Sequence, residues 1–263
     1  MQHVTSADGT AIAVHRSGRG TPVVIIGGAF STASDAASLA EAVIERGLEA
    51  VAIDRRARGD SGDTAPFAPE REAEDIAAVV ELVGPGAALL GHSSGALVAL
   101  LAAGLLEAAE GPALAHLFLS EPPMRFGQDE PAADLPQRLQ ALIDAGQPGE
   151  AVTTFQREGV GLPEPMIEQI RTSPLFEHLT TLAQSTVYDA TIAAATSTPD
   201  RRLLALAVPT TVLLGAETFP VLERAAPMLV ERMPSAELVR VPESAHHAID
   251  PAATAAIIAD RLD

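Results

Sequence analysis

The chain has 263 residues, 47% of them hydrophobic, enough for one sizeable core or a core with a smaller lid. A formal charge of −18 argues against nucleic acid and anionic membranes as partners, since both demand a basic face. With neither cysteine nor lysine, the chain excludes disulfides, thiol catalysis, Cys-based metal sites, Schiff-base chemistry and a Walker-type phosphate loop.

Residues 3–6 and 10–16 flank Asp8-Gly9, a hairpin signal between two short alternating runs. The first residues carry no charged-then-apolar leader and no apolar run reaches membrane length, so a soluble, cytoplasmic protein is expected. Residues 21–26 form a continuous apolar run, the pattern of a strand buried on both faces, and open into Gly27-Gly28-Ala29-Phe30. A helix is expected over 35–46, a buried strand over 48–53 and a helix over 69–82. Between the last two lies a turn in which Arg55, Arg56 and Arg58 sit between Asp54 and Asp60. Three arginines so close suggest a phosphate site, but interleaved opposite charges more commonly make a salt-bridged turn.

The next strand, ending near Leu90, runs into Gly91-His92-Ser93-Ser94-Gly95 and then into the helix-forming run 96–103. Strand, Gly-x-Ser-x-Gly turn and helix in that order predict a nucleophile elbow that raises the Ser93 hydroxyl at the C-terminal edge of a sheet. The Ser94 N–H then sits at a helix N-terminus, aimed at developing negative charge. A strand over 114–120 closes with Glu121-Pro122-Pro123. There the alternation stops, and residues 124–207 read as helical with repeated proline breaks. It resumes as a strand at 209–214, a helix at 220–233, a strand at 236–241 and a closing helix at 251–262. The expected fold is α/β: a doubly wound, mostly parallel eight-stranded sheet with helices on both faces and a helical cap insertion. The expected core domain is 1–123 with 208–263, and the cap domain is 124–207.

Taken together, Gly27-Gly28-Ala29, the turn from Asp54 to Gly62, Gly91-His92-Ser93-Ser94-Gly95 and Ala245-His246 make the chain resemble the α/β-hydrolase superfamily over essentially its full length. The resemblance implies a Ser–His–acid triad in that chain order and a cap after the sixth strand; no cofactor is expected, and no metal, since the histidines are scattered and lack ligand spacing. It assigns Ser93 as nucleophile, His246 as base with its neighbour His247 as the alternative, and the backbone N–H groups of Ala29 and Ser94 as the oxyanion hole. His92 is expected to point away from the pocket and pack against the sheet.

The acid departs from the family pattern. Where the family has Gly-x-x-Asp after the seventh strand, this chain reads Gly215-Ala216-Glu217-Thr218, and a threonine cannot stabilise an imidazolium. Glu121 and Glu217 are the candidates. Glu121 is favoured because haloalkane dehalogenases and certain lactonases resemble this arrangement, and two prolines fix the backbone after it. Phe30, Met124, Phe126, Met166, Phe176 and Tyr188 are the candidate pocket walls. The expected activity is hydrolysis of a small, largely apolar ester or lactone. A lyase, perhydrolase or cyclase on the same fold, or a silent small-molecule-binding protein, are the alternatives.

Overall fold

Alternation of side chains across the buried strands decides the architecture. In the computed structural model, which describes Met1–Asp263, the first four strands are β1 (Gln2–Thr5), β2 (Ala11–Gly18), β3 (Pro22–Ile26) and β4 (Glu49–Ile53). They are followed by β5 (Ala88–His92), β6 (His116–Ser120), β7 (Thr210–Ala216) and β8 (Ala236–Ala245). All eight join one sheet in the order β1-β2-β4-β3-β5-β6-β7-β8. The pairs β1–β2 and β2–β4 are antiparallel, and every pair from β4 to β8 is parallel.

Because successive residues of a strand face opposite sides, β3 sends Val24 and Ile26 into one core and Val23 and Ile25 into another. The first core is closed by α2 (Pro69–Val83), α3 (Ser94–Ala108) and α10 (Pro220–Arg232). The second is closed by α1 (Ala37–Glu45) and α11 (Pro251–Leu262). Helix α3 is buried nearly all round, as its uniformly apolar sequence requires.

Between β6 and β7 the chain makes α4 (Leu135–Asp144), α5 (Pro148–Thr154), a π-helical turn (Phe155–Val160), α6 (Glu164–Arg171), α7 (Leu175–Thr181), α8 (Ala183–Thr196) and the short α9 (Arg201–Leu204). The helix α8 ties this insertion to the sheet: Ile192 joins the large core, while Val187, Tyr188 and Ala190 pack with Leu135, Leu139 and Phe155 of the insertion. No helix is long and apolar enough to cross a membrane.

Candidate active site

The elbow forms because two glycines leave no Cβ where backbone must pass. A Cβ on Gly91 would strike the Gly95 carbonyl, and one on Gly95 would strike the carbonyls of Ile26 and Gly27. Between them Ser93 is held at φ 54, ψ −125, a conformation that side chains other than glycine adopt only under constraint. Its N–H donates to the Ser120 carbonyl at 2.9 Å, which locks the turn to β6.

The imidazole that meets Ser93 is delivered by β8, which runs four residues past its expected end at Val241. A register shift at Gly215/Ala216 lets Ala216 pair with Ala245, and two consecutive left-handed residues follow, His246 at φ 55 and His247 at φ 62. That turn separates the two imidazoles. His247 Nε2 lies 3.0 Å from Ser93 Oγ, and its Nδ1 is hydrogen-bonded to Glu121. The His246 side chain is 77% exposed and faces Glu217, with Nε2 and Oε2 3.4 Å apart. The expected pairing of Ser93 with His246 is therefore corrected to His247. The two residues set aside, His246 and Glu217, meet each other at the surface.

Glu121 leaves β6 at φ 49 and is buried. Its Oε1 accepts the Gly215 N–H at 3.0 Å, and a Cβ on Gly215 would lie 3.0 Å from that oxygen. Burial acts to raise the Glu121 carboxyl, but the hydrogen bond and charge of His247 outweigh it and hold the group below the usual carboxylate range.

His92 keeps out of the cavity and packs against the sheet as expected, with Nδ1 3.2 Å from Ser120 Oγ, and its ring centroid also lies 4.7 Å from that of His247. Burial, and then the charge of His247, push it down to about 4.

Ser93, His247, Ala29 and Ser94 line one cavity of about 260 Å³. Ser94 opens α3, where its N–H has no acceptor within the helix. Gly28 lets the loop after β3 approach the elbow, since a Cβ there would lie 3.0 Å from Ser93 Cβ.

None of the six expected wall residues lines this cavity. Met124 is wholly buried in the large core, and Phe126 stacks under Arg232, 5.0 Å from ring to guanidinium. Met166 is 45% exposed, and Phe176 packs within the insertion against Val152, Leu179 and Ala183. Tyr188 turns away to donate to Asp63 at 2.7 Å and to stack on Phe67. Phe30 stands behind the wall, edge-on to Phe155 at 5.7 Å. The walls instead come from Phe155, Phe219 and Leu222, and from Ala190, Ala193 and Ala194 on one face of α8.

The arginine turn is a charge network and holds no open anion site. Arg55, Arg56 and Arg58 are all buried. Arg55 takes Glu72 of α2 at 2.6 and 3.0 Å and Asp189 of α8 at 2.9 Å. It also donates to Ser94 Oγ at 3.0 Å and the Gly27 carbonyl at 3.2 Å, so it ties the start of α3 to the segment that follows β3. Arg56 pairs with Asp75 and Asp8, and Arg58 with Asp189.

The model of the alpha/beta hydrolase family matches residues 14–259. An alpha/beta hydrolase from Sphaerobacter thermophilus is 36% identical, with all of both chains covered and a TM-score of 0.89. The enol-lactonase of Burkholderia xenovorans is 19% identical over 99% of both chains, with a TM-score of 0.70. An esterase from Exiguobacterium antarcticum is 22% identical over 92% of this chain and 91% of its own, with a TM-score of 0.64. No curated protein matches.

Proposed function

This chain belongs to the alpha/beta hydrolase family, and from that premise we propose that it is a cofactor-independent serine hydrolase acting on a small, largely apolar ester or lactone. Ser93 is the nucleophile, His247 its general base and Glu121 the orienting carboxylate. The single observation that supports this most is the unbroken run of hydrogen bonds from Glu121 through His247 to Ser93.

The chemistry follows from the donors and acceptors along that run. Glu121 accepts from Nδ1, which fixes the imidazole with Nε2 bare and facing the hydroxyl. As Oγ attacks the carbonyl carbon, Nε2 takes its proton, and the oxyanion settles against the N–H groups of Ala29 and Ser94. Collapse expels the alkoxide, which takes the proton back from Nε2 and leaves an acyl-serine. A water deprotonated by the same nitrogen then attacks the acyl carbon, and as the bond to Oγ breaks the proton returns from Nε2 to Ser93, releasing the acid. In a lactone the expelled oxygen stays tethered, so the product is a hydroxy acid.

A fluorophosphonate probe should label Ser93 stoichiometrically in the wild type and leave Ser93→Ala unlabelled. The wild type should also turn over members of a panel of p-nitrophenyl esters and lactones that the variant does not. Absence of labelling in folded protein overturns the reading.

A further inference from the structure

Arginines in this chain divide by surroundings. Thirteen have a carboxylate within 4.0 Å: Arg16, Arg55, Arg56, Arg58, Arg71, Arg138, Arg157, Arg171, Arg202, Arg224, Arg232, Arg240 and Arg261. Of the others, Arg19, Arg46 and Arg201 are exposed to water. Arg125 alone is partly buried without an ion-pair partner, and it lines the cavity that holds Ser93 and His247.

Its fork is held in place by neutral groups. The Arg125 and Phe126 N–H groups both donate to the Ser197 carbonyl, at 2.9 and 3.1 Å, which pins the backbone to the end of α8. One terminal nitrogen donates to the Asp129 carbonyl at 2.5 Å and the other to the Gly159 carbonyl at 3.0 Å. A guanidinium has five N–H donors, so three are left over. Neither nearby acid comes within 4.0 Å of the guanidinium: Asp129 pairs with Arg224 at 2.7 Å, and Glu130, which also lines the cavity, has Oε1 on the Gly127 N–H at 3.1 Å. Burial lowers the Arg125 pKa, with Arg224 adding to the effect, against the pull of Glu130 and Asp129.

A half-buried cation that is fixed in a pocket, yet unmatched by the protein, is a site for an anion brought by the ligand. Resting on the hydrolase reading above, we propose that the substrate carries a carboxylate remote from its scissile bond, and that this carboxylate docks on Arg125. The apolar walls then take the body of the molecule, with the ester or lactone at one end and the carboxylate at the other. A planar fork suits a carboxylate better than a lone lysine would, and the carbonyl clamps spare the ligand the entropy of ordering it.

The test compares mono-p-nitrophenyl glutarate with its neutral methyl ester, at about 0.15 M salt, where fields beyond about 8 Å are screened. A hydrogen-bonded charge pair is expected to favour the acid in kcat/KM by on the order of ten- to a hundredfold. That ratio should fall toward one in Arg125→Gln and be partly kept in Arg125→Lys. Calorimetry with Ser93→Ala reads the docking without turnover: monomethyl glutarate should bind more tightly than methyl pentanoate. Equal or poorer use of the acid by the wild type, or a ratio unchanged in Arg125→Gln, overturns the proposal while leaving the serine hydrolase standing. If Ser93 is unlabelled by fluorophosphonate and neither ester is cleaved, the hydrolase reading fails and calorimetry alone decides the docking site. If Arg125→Gln does not fold, the wild-type ratio and Arg125→Lys carry the decision.

Discussion

Adjacent histidines at the end of β8 differ in what they touch, and substitution should separate them cleanly. His247→Ala removes the only base in contact with Ser93 and is expected to lower kcat by on the order of 10⁴ or more. His246→Ala trims a side chain that is 77% exposed and should leave kcat within about threefold, as surface changes usually do. Steady-state kinetics on one p-nitrophenyl ester checks both, and the opposite ranking would return the base to His246. His92 makes a second prediction at this scale. Its imidazole packs 4.7 Å from that of His247, and burial together with that neighbour's charge holds it near 4, where a free histidine titrates near 6.5. Between those two values the unfolded chain binds a proton that the native protein does not. Stability therefore falls as pH drops from about 6.5 to about 4, then stops falling on this account, by at most about 3 kcal/mol. Urea unfolding at pH 7 and pH 5 should show a smaller acid loss in His92→Gln than in the wild type. An equal loss would mean that the native protein protonates His92 freely.

Strands and helices of the sheet are legible in the sequence because each buried strand is a short apolar run bounded by turn residues. The fragments that set the site are less so. Strand β8 is expected to stop at Val241, since Pro242, Glu243 and Ser244 look like loop, yet pairing resumes at Ala245 after the register shift. Nothing in Ala245-His246-His247 signals that both histidines take positive φ, a rare state for a residue with a Cβ, so the sequence cannot say which one turns inward. Glu121 is easier to read: the missing acid at Thr218 and the two prolines mark it out. The pocket walls are hard to see for another reason. Large apolar residues at helical spacing mark a buried face without saying what buries it, and here Met124, Phe176 and Tyr188 serve packing. The lining falls to Ala190, Ala193 and Ala194, whose three- and four-residue spacing forms a face too small to stand out. The rest of α8 is adapted to burial, with Ser185, Thr186 and Thr196 bonding back to carbonyls three or four residues earlier so that no hydroxyl is stranded.

Across the whole molecule, the insertion and the sheet domain are joined by charge as well as by apolar contact. Asp189 of α8 meets Arg55 at 2.9 Å and Arg58 at 2.7 Å, each side chain about 1% exposed or less, and Glu72 of α2 completes a set of two cations and two anions. Burial works to raise the Asp189 carboxyl, and the guanidiniums of Arg58 and Arg55 more than offset it, so the group stays ionised below the ordinary carboxylate range. Such a cluster need not beat an apolar replacement in stability, but breaking it is costly because it leaves a buried cation uncompensated. Asp189→Asn is therefore expected to lower the unfolding free energy by about 3–5 kcal/mol. The exposed pair of Glu168 and Arg171, broken by Glu168→Gln, should cost under about 1 kcal/mol. Urea denaturation of the two variants side by side checks the contrast. Function should follow, since the same Arg55 that reaches Asp189 also holds Ser94 Oγ and the Gly27 carbonyl beside Ser93. With Asp189 neutral, Arg55 is free to shift toward Glu72, and the elbow loses a brace that stands outside the cavity lining. The expected signature is a fall in kcat with KM little changed, measured on a neutral ester at a urea-free temperature where the variant is still folded. A normal kcat in a folded Asp189→Asn protein would confine the network to holding α8 in place.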